Sequence, residues 1–145
     1  GVDCELIDPS SDSRYDTYWG AYHKLMERRG VTIPTARNLV RSSPTLIAAL
    51  AVHLGDADAM IAGAYGRFRT HFNHVRDVVG LHEGTRHMAA LSMLVMPTRS
   101  LFIADPYVNE DPDAETVAEI YLGPTLAARR RARFASDRPA RGGAA

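Results

Sequence analysis

The sequence predicts an α/β fold. Three observations carry that reading. Apolar residues recur at spacings of three and four through the first half of the chain, the mark of amphipathic helices. The stretch from Pro44 to Gly63 runs helix, tight turn, short apolar segment, glycine, which is the αβ half of an α/β domain. Two further apolar runs, Met88–Met96 and Leu101–Ala104, flank a turn and read as neighbouring buried strands in a hairpin.

The elements follow in order. Leu6-Ile7, closed by Asp8-Pro9, reads as the end of a buried strand entering a turn, with Ser10–Ser13 as loop. Tyr15, Tyr18, Trp19, Tyr22, Leu25 and Met26 make one helical stripe, which Arg28-Arg29-Gly30 ends with positive charge and a glycine cap. Thr32 caps a second helix with Pro34 in its first turn. Ser43-Pro44 starts a third, which Gly55 terminates. Asp58–Gly63 reads as a short buried strand running into a glycine turn. Phe72–Val79 reads as a helix ending at Gly80. Thr98-Arg99-Ser100 turns between the two apolar runs, and Asp105–Pro112 is a polar loop. Asp113 caps a last helix with Glu115 in its first turn. Gly123-Pro124 falls inside that helix and should break it, since an interior proline costs about 3 kcal/mol or more.

Composition narrows the function classes. The 145 residues suffice for one globular domain. No apolar run approaches the roughly 18 residues of a membrane span, and no secretory leader is visible at Gly1–Cys4. One cysteine, Cys4, excludes a disulfide framework and an all-cysteine metal site, so a cytoplasmic setting is expected. The zero net charge hides an asymmetry. Residues 129–145 hold six arginines against one acid, +5, while the other 128 residues hold 11 basic and 16 acidic side chains, −5. The arginine cluster lacks aromatic interleaving beyond Phe134 and the body is acidic, so nucleic acid is not an expected partner.

Two loops are candidates for chemistry. Gly63–Thr70 follows a predicted strand and precedes a helix, where α/β proteins bind anions: glycines admit close backbone approach and the helix start supplies N–H donors. Gly63, Gly66, Arg67, Arg69 and Arg76 are the candidate ligand-binding residues there. The same segment also reads as a tight connection with solvated arginines. Asp105 and Asn109 stand after a predicted strand end, the usual place of a ligand crevice, though Asp and Asn also build turns from their own backbone bonds. His71, His74 and Asp77 share a helical stripe, but no metal-site motif accompanies them and no metal is expected. No catalytic residue is assigned.

The segments GDADAMIAGAYGRF (Gly55–Phe68), HVRDVVG (His74–Gly80) and FIADPYVNEDPDAETVAEI (Phe102–Ile120) resemble the phosphate acetyl/butyryl-transferase family. More narrowly, YWGAYHKLMERRGVT (Tyr18–Thr32) with RDVVG and YVNEDPDAE resembles the C-terminal phosphotransacetylase-like domain of hybrid NADP-dependent malic enzymes. The resemblance spans roughly Ile7 to Phe134. It implies part of a two-lobed fold of the isocitrate/isopropylmalate dehydrogenase type, a three-layer sandwich with helices around a mixed sheet. It implies a cleft for coenzyme A and phosphate. For the hybrids it implies a regulatory domain that binds acetyl-CoA, joins a homo-oligomer and acts on a malate-decarboxylating domain, where NADP and a divalent metal would lie.

Departures from the transferase pattern separate the two. Met26 stands where the transferases carry an arginine. Gly66 replaces a histidine, Arg67 and Phe68 replace hydroxyls, and Asn73 replaces a second arginine. Loss of cationic groups removes transition-state charge stabilisation, so the resemblance implies binding without acetyl transfer. The expected organisation is a partial phosphotransacetylase-like domain over 1–134 and a disordered basic tail over 135–145. A truncated or frameshifted reading frame would account for the departure after Phe134.

Overall fold

A computed structural model of the chain describes residues 4–122. The chain divides into two compact units, residues 1–80 and 81–145.

The first unit is helical. It comprises α1 (Tyr15–Met26), a 3₁₀ turn (Glu27–Arg29), α2 (Ile33–Ser42), α3 (Pro44–Leu54) and α4 (Phe68–Val78). In α1 the buried residues Tyr18, Tyr22 and Met26 recur every four positions, so they share one face. Thr32 starts α2 by accepting the Thr35 N–H on its hydroxyl oxygen at 3.4 Å. Ser43 starts α3 in the same way with the Leu46 N–H at 3.2 Å. Gly55 ends α3 at φ +85°, a conformation that a side chain strains. These helix limits agree with the sequence reading.

The apolar helix α3 is the centre of the unit. Leu46, Ile47, Ala49, Leu50 and Ala51 are all buried, and α1, α2 and α4 pack on it. Tyr18, Val40, Leu46 and Leu50 are wholly enclosed. At the rim, Arg37 lies over the Trp19 ring with 4.3 Å to its centre. Arg29 reaches from the 3₁₀ turn to Asp77 of α4 at 2.9 Å.

Two predicted strands do not form. Leu6-Ile7 has no strand structure and Leu6 is exposed, although the turn after it is present: Asp8 accepts the Ser10 N–H at 2.9 Å. Asp58–Gly63 also lacks strand structure, and Ile61 is 100% exposed. A strand is held by ladder bonds to a neighbour, and the described residues of this unit supply none. Apolar composition alone therefore misread both segments. Helix α4 begins at Phe68, one turn before the predicted Phe72, and Phe68 stacks on Phe72 with ring centres 5.8 Å apart.

The second unit contains β1 (Leu91–Val95) and β2 (Ser100–Ala104), antiparallel, with Leu91 opposite Ala104 and Val95 opposite Ser100. The predicted hairpin is present. Its first strand is shorter than Met88–Met96, and both strands are largely exposed instead of buried. An apolar run identifies a strand, but burial requires a layer over each face. Residues 114–122 form a helix, α5, capped by Asp113, which accepts the Thr116 N–H at 2.8 Å. Glu119 of α5 accepts the Arg86 backbone N–H at 2.7 Å and pairs with His87 Nδ1 at 2.9 Å. The predicted break at Gly123-Pro124 and the tail 135–145 lie outside the described residues.

Candidate functional site

The glycine turn and the start of α4 form one local structure. Gly63 and Gly66 have φ of +107° and +98°. A Cβ on Gly66 would stand 3.0 Å from His71 Nε2, so glycine is required there both by conformation and by space. Arg67 is the N-cap residue of α4 and gives it no side-chain cap, and the first turn has no acidic residue. The positive end of the helix dipole is thus unneutralised by its own side chains. Arg67 and Arg69 are exposed and form no ion pair among the described residues. Backbone and side chains together make this end of α4 positive.

Beside the turn lies a cleft of about 280 Å³, lined by Pro44, Thr45, Ile61, Ala62, Gly63, Ala64 and Tyr65. Its lining is mainly apolar, and its size suits part of a ligand more than a whole cofactor. His71 joins the two walls. Its Nε2 lies 2.6 Å from the Tyr65 carbonyl oxygen and its Nδ1 lies 2.8 Å from Thr45 Oγ1. A carbonyl has no proton to give, so Nε2–H donates to Tyr65. In the neutral ring Nδ1 then accepts the Thr45 hydroxyl proton.

The remaining candidates sit elsewhere. Arg76 pairs with Asp77 at 3.1 Å. At a rise of about 1.5 Å per residue it stands roughly 10 Å along α4 from Arg69. His74 is partly buried, and desolvation pushes its imidazole below the usual value. With both His71 nitrogens engaged and Asp77 held by two arginines, the His71, His74 and Asp77 stripe is used internally. No group of three metal-ligating side chains is placed to hold an ion among the described residues.

Asp105 and Asn109 belong to the second unit and knit one loop. Asp105 has φ +48°. One of its carboxylate oxygens accepts the Ala90 N–H at 3.3 Å. The other accepts the Asn109 N–H at 3.0 Å and the Asn109 side-chain amide at 2.7 Å. That amide also donates to the Met88 carbonyl at 3.0 Å. The turn-building reading of these two residues is the one that the contacts express.

Gly63, Gly66, Arg67 and Arg69 therefore come together, Arg76 stands two turns away, and Asp105 with Asn109 organise a separate loop. Sequence reasoning gave no role to Thr45 or to Tyr65, and it weighed His71 as a metal ligand and set that reading aside without finding its part in the turn. No local pattern connects Thr45 to His71 across 26 positions.

Comparison with known proteins adds a family. Over 122 residues the chain is 45% identical to an NADP-dependent malic enzyme of Escherichia coli (strain K12), covering 84% of this chain and 16% of that protein. It is 41% identical over 122 residues to the NADP-dependent malic enzyme of Haemophilus influenzae, with the same coverage. It is 27% identical over 125 residues to a phosphate acetyltransferase of Nitratidesulfovibrio vulgaris, 86% of this chain and 18% of that protein. The chain thus spans about one sixth of the length of these relatives. Residues 1–140 match the family described as phosphate acetyl/butaryl transferase. With nearly every residue inside that match, and an α/β composition of helices and an antiparallel strand pair, the chain belongs to the phosphate acetyl/butaryl transferase family.

Proposed function

We propose that this chain is part of a regulatory, acetyl-CoA-binding phosphotransacetylase-like domain of a malic enzyme, and that it does not catalyse acetyl transfer by itself. The carrying observation is the positive end of α4: a glycine turn with two exposed arginines, Arg67 and Arg69, unpaired among the described residues and set beside a small apolar cleft. An anionic ligand with an apolar portion suits both features, and acetyl-CoA has both. Gly63, Gly66, Arg67 and Arg69 contact the ligand in this reading, with Arg76 as a more distant charge. Asp105 and Asn109 hold the shape of their loop.

Met26 supports the non-catalytic part. Under the resemblance it takes the place of a transferase arginine, and here it is an uncharged member of the buried core with no charge to offer a phosphate. The whole protein in this reading has the two-lobed, three-layer fold around a mixed sheet, works in the cytoplasm as a homo-oligomer, and carries NADP, a divalent metal and malate oxidation in a separate catalytic domain.

Isothermal titration of the chain with acetyl-CoA tests the binding. We expect saturable binding that weakens at least several-fold in Arg67→Ala/Arg69→Ala; no heat above dilution at millimolar ligand would overturn it. Formation of acetyl phosphate from acetyl-CoA and phosphate by the purified chain would instead favour a phosphate acetyltransferase. A second reading, a purely structural oligomerisation module, is favoured by the exposed apolar hairpin. It predicts self-association that acetyl-CoA leaves unchanged.

A further inference from the structure

We propose that His71 is a positioning residue: it latches the Gly63–Gly66 turn onto the start of α3 and so sets the width of the cleft. The ligand part of this inference rests on the acetyl-CoA reading above, while the latch itself stands on geometry.

Four observations converge on the ring. Its Nε2 is 2.6 Å from the Tyr65 carbonyl oxygen, inside the turn. Its Nδ1 is 2.8 Å from Thr45 Oγ1, in the first turn of α3. Gly66 is the residue over which the ring lies, and a Cβ there would meet Nε2 at 3.0 Å. Thr45 and Tyr65 are the two polar-bearing walls of the cleft.

The rest of the turn has little else to hold it. Met60 packs against the core, but beyond it Ile61 is 100% and Tyr65 92% exposed, so burial does not fix the turn itself. No backbone hydrogen bond joins residues 58–66 to another element among the described residues. The imidazole is thus the hydrogen-bonded bridge between the turn and the helical core among the described residues. Thr45 is buried, so its hydroxyl is a fixed anchor. A planar ring bonded at both nitrogens has one orientation and one neutral tautomer, which makes the bridge rigid. Without it the walls of the cleft would separate and the Arg67 and Arg69 backbone would lose its register with the cleft.

Two near-isosteric variants separate the bonds. His71→Gln places an amide nitrogen where Nε2 was and keeps the bond to Tyr65. His71→Asn reaches only the Nδ1 position and keeps the bond to Thr45. We expect acetyl-CoA affinity to fall about threefold to tenfold in each variant, the effect of one lost hydrogen bond in a bridge that needs both. Thr45→Val, which keeps the shape and removes the anchor hydroxyl, serves as the second variant should His71→Asn unfold. Equal affinities in wild type, His71→Asn and Thr45→Val would overturn the latch. Nitrogen-15 NMR of the wild-type chain without ligand reads the latch directly. A single Nε2–H tautomer supports it, and a ring averaging between tautomers overturns it. If wild type fails to bind acetyl-CoA, the ligand reading fails by itself. The latch is then decided by the Ala62 and Ala64 amide resonances, which must move in both His71→Asn and His71→Gln; no movement in either overturns it.

Discussion

Tyr18 shows how a single side chain serves both packing and polarity. Its ring is enclosed in the helical core, while its hydroxyl donates to Asp56 at 2.8 Å. Burial, reinforced by the Asp56 carboxylate, pushes the phenol up to about 12, so it stays protonated and donates across the ordinary pH range. Tyr18→Phe should cost roughly 1–2 kcal/mol in urea denaturation, as one hydrogen bond to a charged acceptor is lost without a cavity. A change within a few tenths of a kcal/mol would show that water replaces the bond. His74 gives a pH signature. Its pKa is lowered from 6.5, first by burial and also by His71, against the opposing pull of Asp77. As pH falls through 6.5 the unfolded chain takes up the proton before the folded one does. Stability should therefore be full above that value and decline below it. Denaturant midpoints between about pH 7.5 and about pH 5 should fall for wild type and flatten for His74→Gln.

At the scale of elements, caps fix the helices and a small clip fixes a connection. Ser43 both closes α2 and opens α3. Ser43→Ala should therefore destabilise the first unit by about 1 kcal/mol, and Ser43→Gly by only a few tenths. In the second unit Glu119 clips α5 to the Arg86-His87 segment. Hydrogen bonds from the His87 side chain, then from the Arg86 backbone, lower its carboxyl from 4.5 to about 2. A depressed carboxylate stabilises the fold above the unfolded value and loses that contribution as pH drops through the folded one. Protection of the Arg86 amide from hydrogen exchange should accordingly hold above pH 4.5 and decline toward pH 2. Glu119→Gln should lower that protection at neutral pH. Persistence of wild-type protection in the variant would remove Glu119 from the clip.

At the scale of the molecule, the two units differ in how far they satisfy themselves. The first encloses its own core. The second displays Met93, Leu94, Leu101, Phe102 and Ile103 on an exposed two-stranded sheet. A pair of strands with uncovered apolar faces is marginal in water and tends to associate. Met93 and Phe102 are directly opposed in the register. Replacing both by lysine should lower the apparent mass in light scattering toward the 15.9 kDa of one chain, with the far-ultraviolet helical signal unchanged. An unaltered mass would clear this sheet of a role in self-association.

The sequence by itself determined the helices of the first unit, because their signals are local. Thr32, Ser43, Gly30 and Gly55 act within four residues of their partners, and the stripe of Tyr18, Tyr22 and Met26 is a spacing in the chain. The hairpin and the Asp113 cap were legible for the same reason, as was the glycine turn with Arg67 and Arg69. Strand pairing and burial were not. Asp58–Gly63 is as apolar as a buried strand, yet a strand needs a ladder partner and a covering layer that no window of sequence contains. The clamp of Thr45, His71 and Tyr65 was likewise decided only in three dimensions. It joins residues 26 positions apart, and only the packing of α4 on α3 brings that imidazole between a helix start and a glycine turn.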